Sequence, residues 1–156
     1  MDIIGSKEKQ CNCSEAMITK YMSKISGPLL DRIDIHIEVS QIKYENLNSE
    51  EKVESSEEIR NRVNKARKIQ VERYKKYKIY SNAELTPKLI EKYCKLDYIS
   101  KEILEKAFNR LGLSARAYSR ILKVARTIAD LDQKENIESQ HVAEAIQYRH
   151  LDKKYF

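Results

Sequence analysis

Hydrophobic positions between residues 113 and 131 (LSARAYSRILKVARTIADL) recur at helical spacing. Ala117, Ile121, Val124, Ile128 and Leu131 form one row, with Leu122, Ala125 and Ala129 beside it. Two adjacent rows make a wide apolar face, which belongs at the centre of a helical bundle. Ser114 is placed to cap this helix, because a serine hydroxyl can accept from an unpaired first-turn N–H. Gly112 is placed to stop the helix before it, where a left-handed residue is wanted. The polar strip carries Arg116, Ser119, Arg120, Lys123, Thr127 and Asp130.

The pattern predicts further helices on both sides. Ser14 can cap a short one from Glu15 to about Ile25, with Met17, Tyr21 and Met22 apolar, ended by Gly27-Pro28. Ser55 and Glu58 form a capping box for a helix running to about Lys76, with Ile59, Val63, Ala66, Tyr74 and Tyr77 near one face. Thr86-Pro87 opens another, with Thr86 as cap and Pro87 at the first position, and it ends near Cys94. Asp97 or Ser100 starts the next, with Ile103, Leu104, Ala107, Phe108 and Leu111 inward. The last runs from about Ser139 to Arg149, with Ile137 and Val142 as a hydrophobic staple.

One stretch alternates instead. Ile33, Ile35, Ile37 and Val39 alternate with Asp34, His36 and Glu38, which predicts a half-buried strand. A lone strand leaves its N–H and C=O groups without partners. The expectation is therefore a strand cut from a larger sheet. Residues 1–10 read as disordered, and 41–55 are polar, without periodicity, and read as a linker. The fold expected is mainly α: a helical bundle with one isolated strand left over from an α/β core.

At 156 residues the chain can bury a sizeable core. No apolar run approaches the roughly 18 residues that span a bilayer, and no apolar leader is visible, so a cytoplasmic location is expected. Three cysteines cannot all pair, which argues against a disulfide framework. The net charge of +6 is concentrated. Residues 65–78 (KARKIQVERYKKYK) hold seven basic residues against Glu72 alone. Lys65, Arg67, Lys68, Arg73, Lys75, Lys76 and Lys78 are thus candidates for nucleic-acid binding, interleaved with Tyr74 and Tyr77. Both tyrosines also fall on the apolar stripe, so a core helix with a basic solvent face explains the same residues.

Glycine-dependent phosphate loops are excluded, and a Ser–His–Asp triad is left open but without support. With three glycines, Gly5, Gly27 and Gly112, neither a P-loop nor a GxGxxG turn can be built. His36, His141 and His150 have no metal-ligand spacing, and no nucleophile elbow is present. The polypeptide alone is not expected to be an enzyme or to hold a cofactor. Cys11 and Cys13 could supply half of a tetrahedral thiolate site, with two free thiols as the alternative. Two arginines stand where phosphate would suit them. Arg32 precedes the expected strand after a Gly-Pro turn, with a surface ion pair to Asp31 or Asp34 as the alternative. Arg116 lies in the first turn of the central helix, where terminal N–H groups favour anions and the dipole disfavours a cation. A solvated arginine is the alternative there.

Four blocks carry a family likeness: ISGPLLDRIDIHIEV (25–39), ESSEEIRNRVNKARKIQ (54–70), the central segment (113–131) and HVAEAIQYR (141–149). Together they resemble the C-terminal part of the magnesium-chelatase-like AAA+ ATPases of the ComM competence type. The resemblance implies that 1–40 is the end of an α/β ATPase core, 41–55 a linker and 56–156 a helical lid. It implies that Arg32 is an arginine finger acting in trans and that Arg116 is the sensor 2 residue. It further implies that Cys11 and Cys13 close a four-cysteine cluster begun upstream. ATP and Mg would be cofactors of the parent protein, its partners the upstream core and neighbouring subunits of a homo-oligomeric ring, with DNA the candidate substrate.

Overall fold

A computed structural model describes residues 12–37, 39 and 53–149. Among them are seven α-helices: α1 (Glu15–Met22), α2 (Gly27–Leu30), α3 (Ser56–Tyr74), α4 (Pro87–Tyr93), α5 (Tyr98–Leu111), α6 (Ala115–Leu131) and α7 (Ser139–Gln147). Short 3₁₀ turns cover Lys75–Tyr77 and Asn82–Glu84. The protein is mainly α, and α6 is its axis: α3, α4 and α7 pack on it, and α5 packs on α7.

The helix starts follow local chemistry. Ser55 accepts from the Glu58 N–H at 3.2 Å, and the Glu58 carboxylate accepts from the Ser55 N–H at 2.8 Å. Both halves of the capping box are therefore made. Asp97 starts α5 by accepting from the Ser100 N–H at 2.7 Å. Thr86 makes no side-chain cap; Pro87 at the first position is the start signal there. Gly112 adopts φ +58°, which ends α5.

The core gathers the two α6 rows with residues from every neighbour. Ala117, Ile121, Leu122, Ala125 and Ala129 meet Tyr74, Leu104, Val142 and Ala145. The small residues on α6 allow close approach of α7 and α3. Ile137 and Val142 are both buried, and Ile137 forms a single parallel bridge with Leu96. Cys94 is buried in this core, and burial pushes its thiol up to about 11, so it behaves as a small apolar residue. The first half of α3, Ser56 to Lys65, is exposed on every side, and the helix is buried only from Ala66 onward.

The strand expected over 33–39 does not form among the described residues. Alternation alone cannot make one, because a strand needs a partner ladder. Ile33, Ile35 and Ile37 are exposed instead. The segment runs along the helical body, where the His36 N–H donates to the Tyr148 carbonyl at 2.8 Å. The sequence also stops the first helix at Gly27-Pro28, whereas that pair opens the one-turn α2. Residues 1–10 and most of the linker, 41–52, lie outside the described residues.

Candidate functional site

The start of α6 is where the residues singled out by sequence come together. Ser114 is extended, and its Oγ accepts from the Ala117 N–H at 3.1 Å. That leaves other first-turn N–H groups unpaired within the helix. No acid occupies the first turn. The Arg116 side chain is exposed there and makes no hydrogen bond or ion pair among the described residues.

A cleft of about 370 Å³ opens beside it, between α6 and the loop that precedes α4. Arg116, Arg120 and Lys123 line one wall, one turn apart, with Asp34, Ala83 and Pro87 opposite. Two of the three cations are engaged. Arg120 pairs with Asp34, and Lys123 donates to the Ala83 carbonyl at 2.8 Å. Arg116 is the cation left over, in a position where a helix N-terminus also attracts anions.

Arg32 sits in the turn after α2, its N–H donating to the Leu29 carbonyl at 2.9 Å. Its side chain is exposed, and neither neighbouring acid engages it. Asp31 accepts from Ser114 Oγ at 3.0 Å and pairs with Arg149 at 3.4 Å, while Asp34 is taken by Arg120. The surface ion pair weighed as the alternative for Arg32 is thus not formed. Ser114 and Asp34 bring the Arg32 turn and the Arg116 turn to one end of the bundle.

The basic face of α3 is smaller than its sequence. Lys65, Arg67, Lys68, Lys76 and Lys78 are exposed, and Lys75 pairs with Glu72 at 2.5 Å. Arg73 departs from the sequence expectation. It turns inward and holds Asp130 through two bonds of 3.0 and 2.6 Å. Burial works against the charged guanidinium, but Asp130 and Tyr74 together hold Arg73 above its ordinary value. Tyr74 is buried, and its hydroxyl donates to Asn82 at 2.7 Å. Tyr77 packs edge-on against Tyr93, and its hydroxyl accepts from Lys92 at 2.9 Å. Tyr74 is therefore interior, whereas Tyr77 stays at the surface and is engaged there by Tyr93 and Lys92.

Sequence reasoning missed Arg126, Asn82 and Arg149. Arg126 is buried, and burial lowers it from its ordinary value. It bonds Asp130 at 3.2 Å and the carbonyls of Lys134 and Glu135 at 2.7 Å each, closing the turn after α6. One signal was available: Arg126 interrupts the apolar side between Leu122 and Ala129, and Asp130 follows four residues later. Arg149 carried no local signal, because its partners lie more than 110 residues away.

The Arg116 corner of the cleft combines an exposed cation with a helix N-terminus, both of which attract anions. Magnesium does not find a home: among the described residues no three acids, histidines or cysteines converge. Cys13 is half-buried, and Cys11 lies outside the described residues. No helix among the described residues is long and apolar enough to cross a membrane.

Comparison with known proteins adds an independent line. Residues 53–149 match the family described as magnesium chelatase, subunit ChlI C-terminal, and residues 2–47 match magnesium chelatase, subunit ChlI. The chain is 47% identical to the competence protein ComM of Haemophilus influenzae over 137 residues, covering 87% of this chain and 26% of that protein. It is 40% identical to the uncharacterized protein YifB of Escherichia coli over 143 residues, 90% of this chain and 27% of that one. An uncharacterized protein of Mycobacterium tuberculosis is 30% identical over 141 residues, 90% of this chain and 28% of its own length. The chain thus spans about a quarter of the length of these relatives.

Proposed function

The chain belongs to the family of the magnesium chelatase subunit ChlI, and from that premise we propose that it serves as the C-terminal lid of an oligomeric AAA+ ATPase. In this reading residues 1–40 end the α/β core, 41–55 link, and 56–156 form the lid. Arg116 acts as sensor 2 and Arg32 as an arginine finger on a neighbouring subunit. The observation that carries the reading is the state of Arg116: a cation without a partner among the described residues, in the first turn of α6, beside two cations that are engaged.

ATP with Mg supplies the transferable phosphoryl group, and the Mg ligands come from outside the described residues. The contribution of this chain is positive charge at fixed places. Phosphoryl transfer gains from such charge because negative charge spreads over the γ-phosphate oxygens in the transition state. The Ser114 cap fixes the first turn, so Arg116 needs only to reorient its side chain to bond an oxygen. A charge-assisted bond of that kind is worth roughly 1.5–3 kcal/mol.

The test is hydrolysis by a full-length protein carrying this segment. Arg116→Ala is expected to slow it about tenfold or more, at 1.4 kcal/mol per decade, with melting unchanged because the side chain is exposed. A wild-type rate contradicts the sensor role. A collapsed melting transition makes Arg116 structural.

A second reading concerns DNA. The first half of α3 is exposed on every side, and an outer groove runs from Asn61, Asn64 and Lys65 there to Arg67 and Lys68 in the next turn. An exposed helix of that kind can track a phosphate backbone. With the five exposed cations Lys65, Arg67, Lys68, Lys76 and Lys78 engaged, log K against log salt should fall with a slope of about −4 to −5 on duplex DNA. A slope near zero, or no loss on Lys65→Glu with Lys68→Glu, argues against it.

A further inference from the structure

Arg149 is 1% exposed, and a buried guanidinium must be matched. Its partners come from the other end of the chain: it donates to the Ile33 carbonyl and pairs with Asp31. Asp31 also accepts from Ser114 Oγ at 3.0 Å, and Ser114 is the cap of α6. Asp31 is therefore tied at once to the cap that precedes Arg116 and to Arg149, two residues past the end of α7. Two residues flanking Arg32 are held, Asp31 through its carboxylate and Ile33 through its carbonyl. Beyond them the His36 N–H donates to the Tyr148 carbonyl at 2.8 Å. Arg32 itself projects from this frame into solvent.

We propose that Asp31, Ser114 and Arg149 form a latch that docks the Arg32 turn on the helical bundle, so that Arg32 and Arg116 are carried on one body. In a hinged protein the two arginines would swing separately. With the latch closed, a movement of the bundle that withdraws Arg116 also withdraws Arg32. Asp31, Ser114 and Arg149 are positioning residues in this scheme: none needs to touch phosphate. The latch stands on contacts within this chain, and only its consequence for hydrolysis rests on the function proposed above.

Hydrogen exchange on the 156-residue chain tests the latch. The His36 amide reports docking, and the Ala125 amide, in the middle of α6, reports the bundle. In Asp31→Ala and in Arg149→Met, His36 should exchange at least tenfold faster while Ala125 is unchanged. If Arg149→Met also speeds Ala125, the bundle itself has loosened, and Asp31→Ala decides alone. His36 exchanging at the wild-type rate in Asp31→Ala overturns the latch.

Hydrolysis by the full-length protein tests the consequence. Asp31→Ala should slow it about tenfold, and adding Asp31→Ala to Arg32→Ala should cost nothing more, because the latch acts through Arg32. Losses that multiply overturn the positioning role. If Arg32→Ala alone is silent, the finger reading has failed, and the His36 exchange rate still judges the latch.

Discussion

Asp130 lies fully buried on α6 and accepts from Arg73, Arg126 and Asn82. The cluster ties α3, the Asn82 turn and the end of α6 into one unit. Removing one member of a buried charge cluster strands the others, which costs about 3–5 kcal/mol. Asp130→Ala should lower unfolding stability by about that amount in denaturant titrations, since two buried or half-buried guanidiniums lose their carboxylate. A loss under about 1 kcal/mol would mean that the cluster contributes little beyond an exposed ion pair. The helical period places Asp130 on the polar strip, and the reason is physical: periodicity reports direction from the helix axis, not whether another helix covers that direction. Covered by Arg73 from α3, the strip became interior.

At the scale of elements, sequence was most informative where the signal is local. Caps at Ser14, Ser55, Asp97 and Ser114 each need only a side chain and an N–H three residues on, and all four are made, whereas the cap expected at Thr86 is not. The 33–39 segment failed because a strand depends on a partner that periodicity cannot supply. Its backbone instead finds Tyr148 and Arg149 at the end of α7. Gly112 offers a clean test of the local logic. It has φ +58°, and a Cβ added there meets nothing within 4 Å. Gly112→Ala should therefore cost only the left-handed backbone penalty, about 1–2 kcal/mol, with the helical circular dichroism of α5 and α6 retained. A much larger loss would point to a collision or to a repacked α5–α6 turn.

For the whole molecule, the two arginines named from the family likeness end up at the same end of the bundle, neither side chain with a partner among the described residues. Composition and spacing placed each in a phosphate-friendly context, but could not show that both neighbouring acids were already used, Asp31 by Arg149 and Ser114, Asp34 by Arg120. The long-range pairs that free Arg32 have no signature in a single sequence. The basic run told less than it promised, because Arg73, Tyr74 and Tyr77 are committed to contacts within the chain.

The central claim is that this chain lends charge to a nucleotide held elsewhere, Arg32 to that of a neighbour. Subunit mixing measures this most directly. A full-length protein with Arg32→Ala should hydrolyse ATP at least about tenfold more slowly than wild type. Mixed with a subunit inactivated only in its own phosphate-binding motif, it should recover activity, because the intact Arg32 of one subunit serves the intact nucleotide site of the other. No recovery in mixed assemblies shown to form, or a wild-type rate for Arg32→Ala alone, would contradict the account.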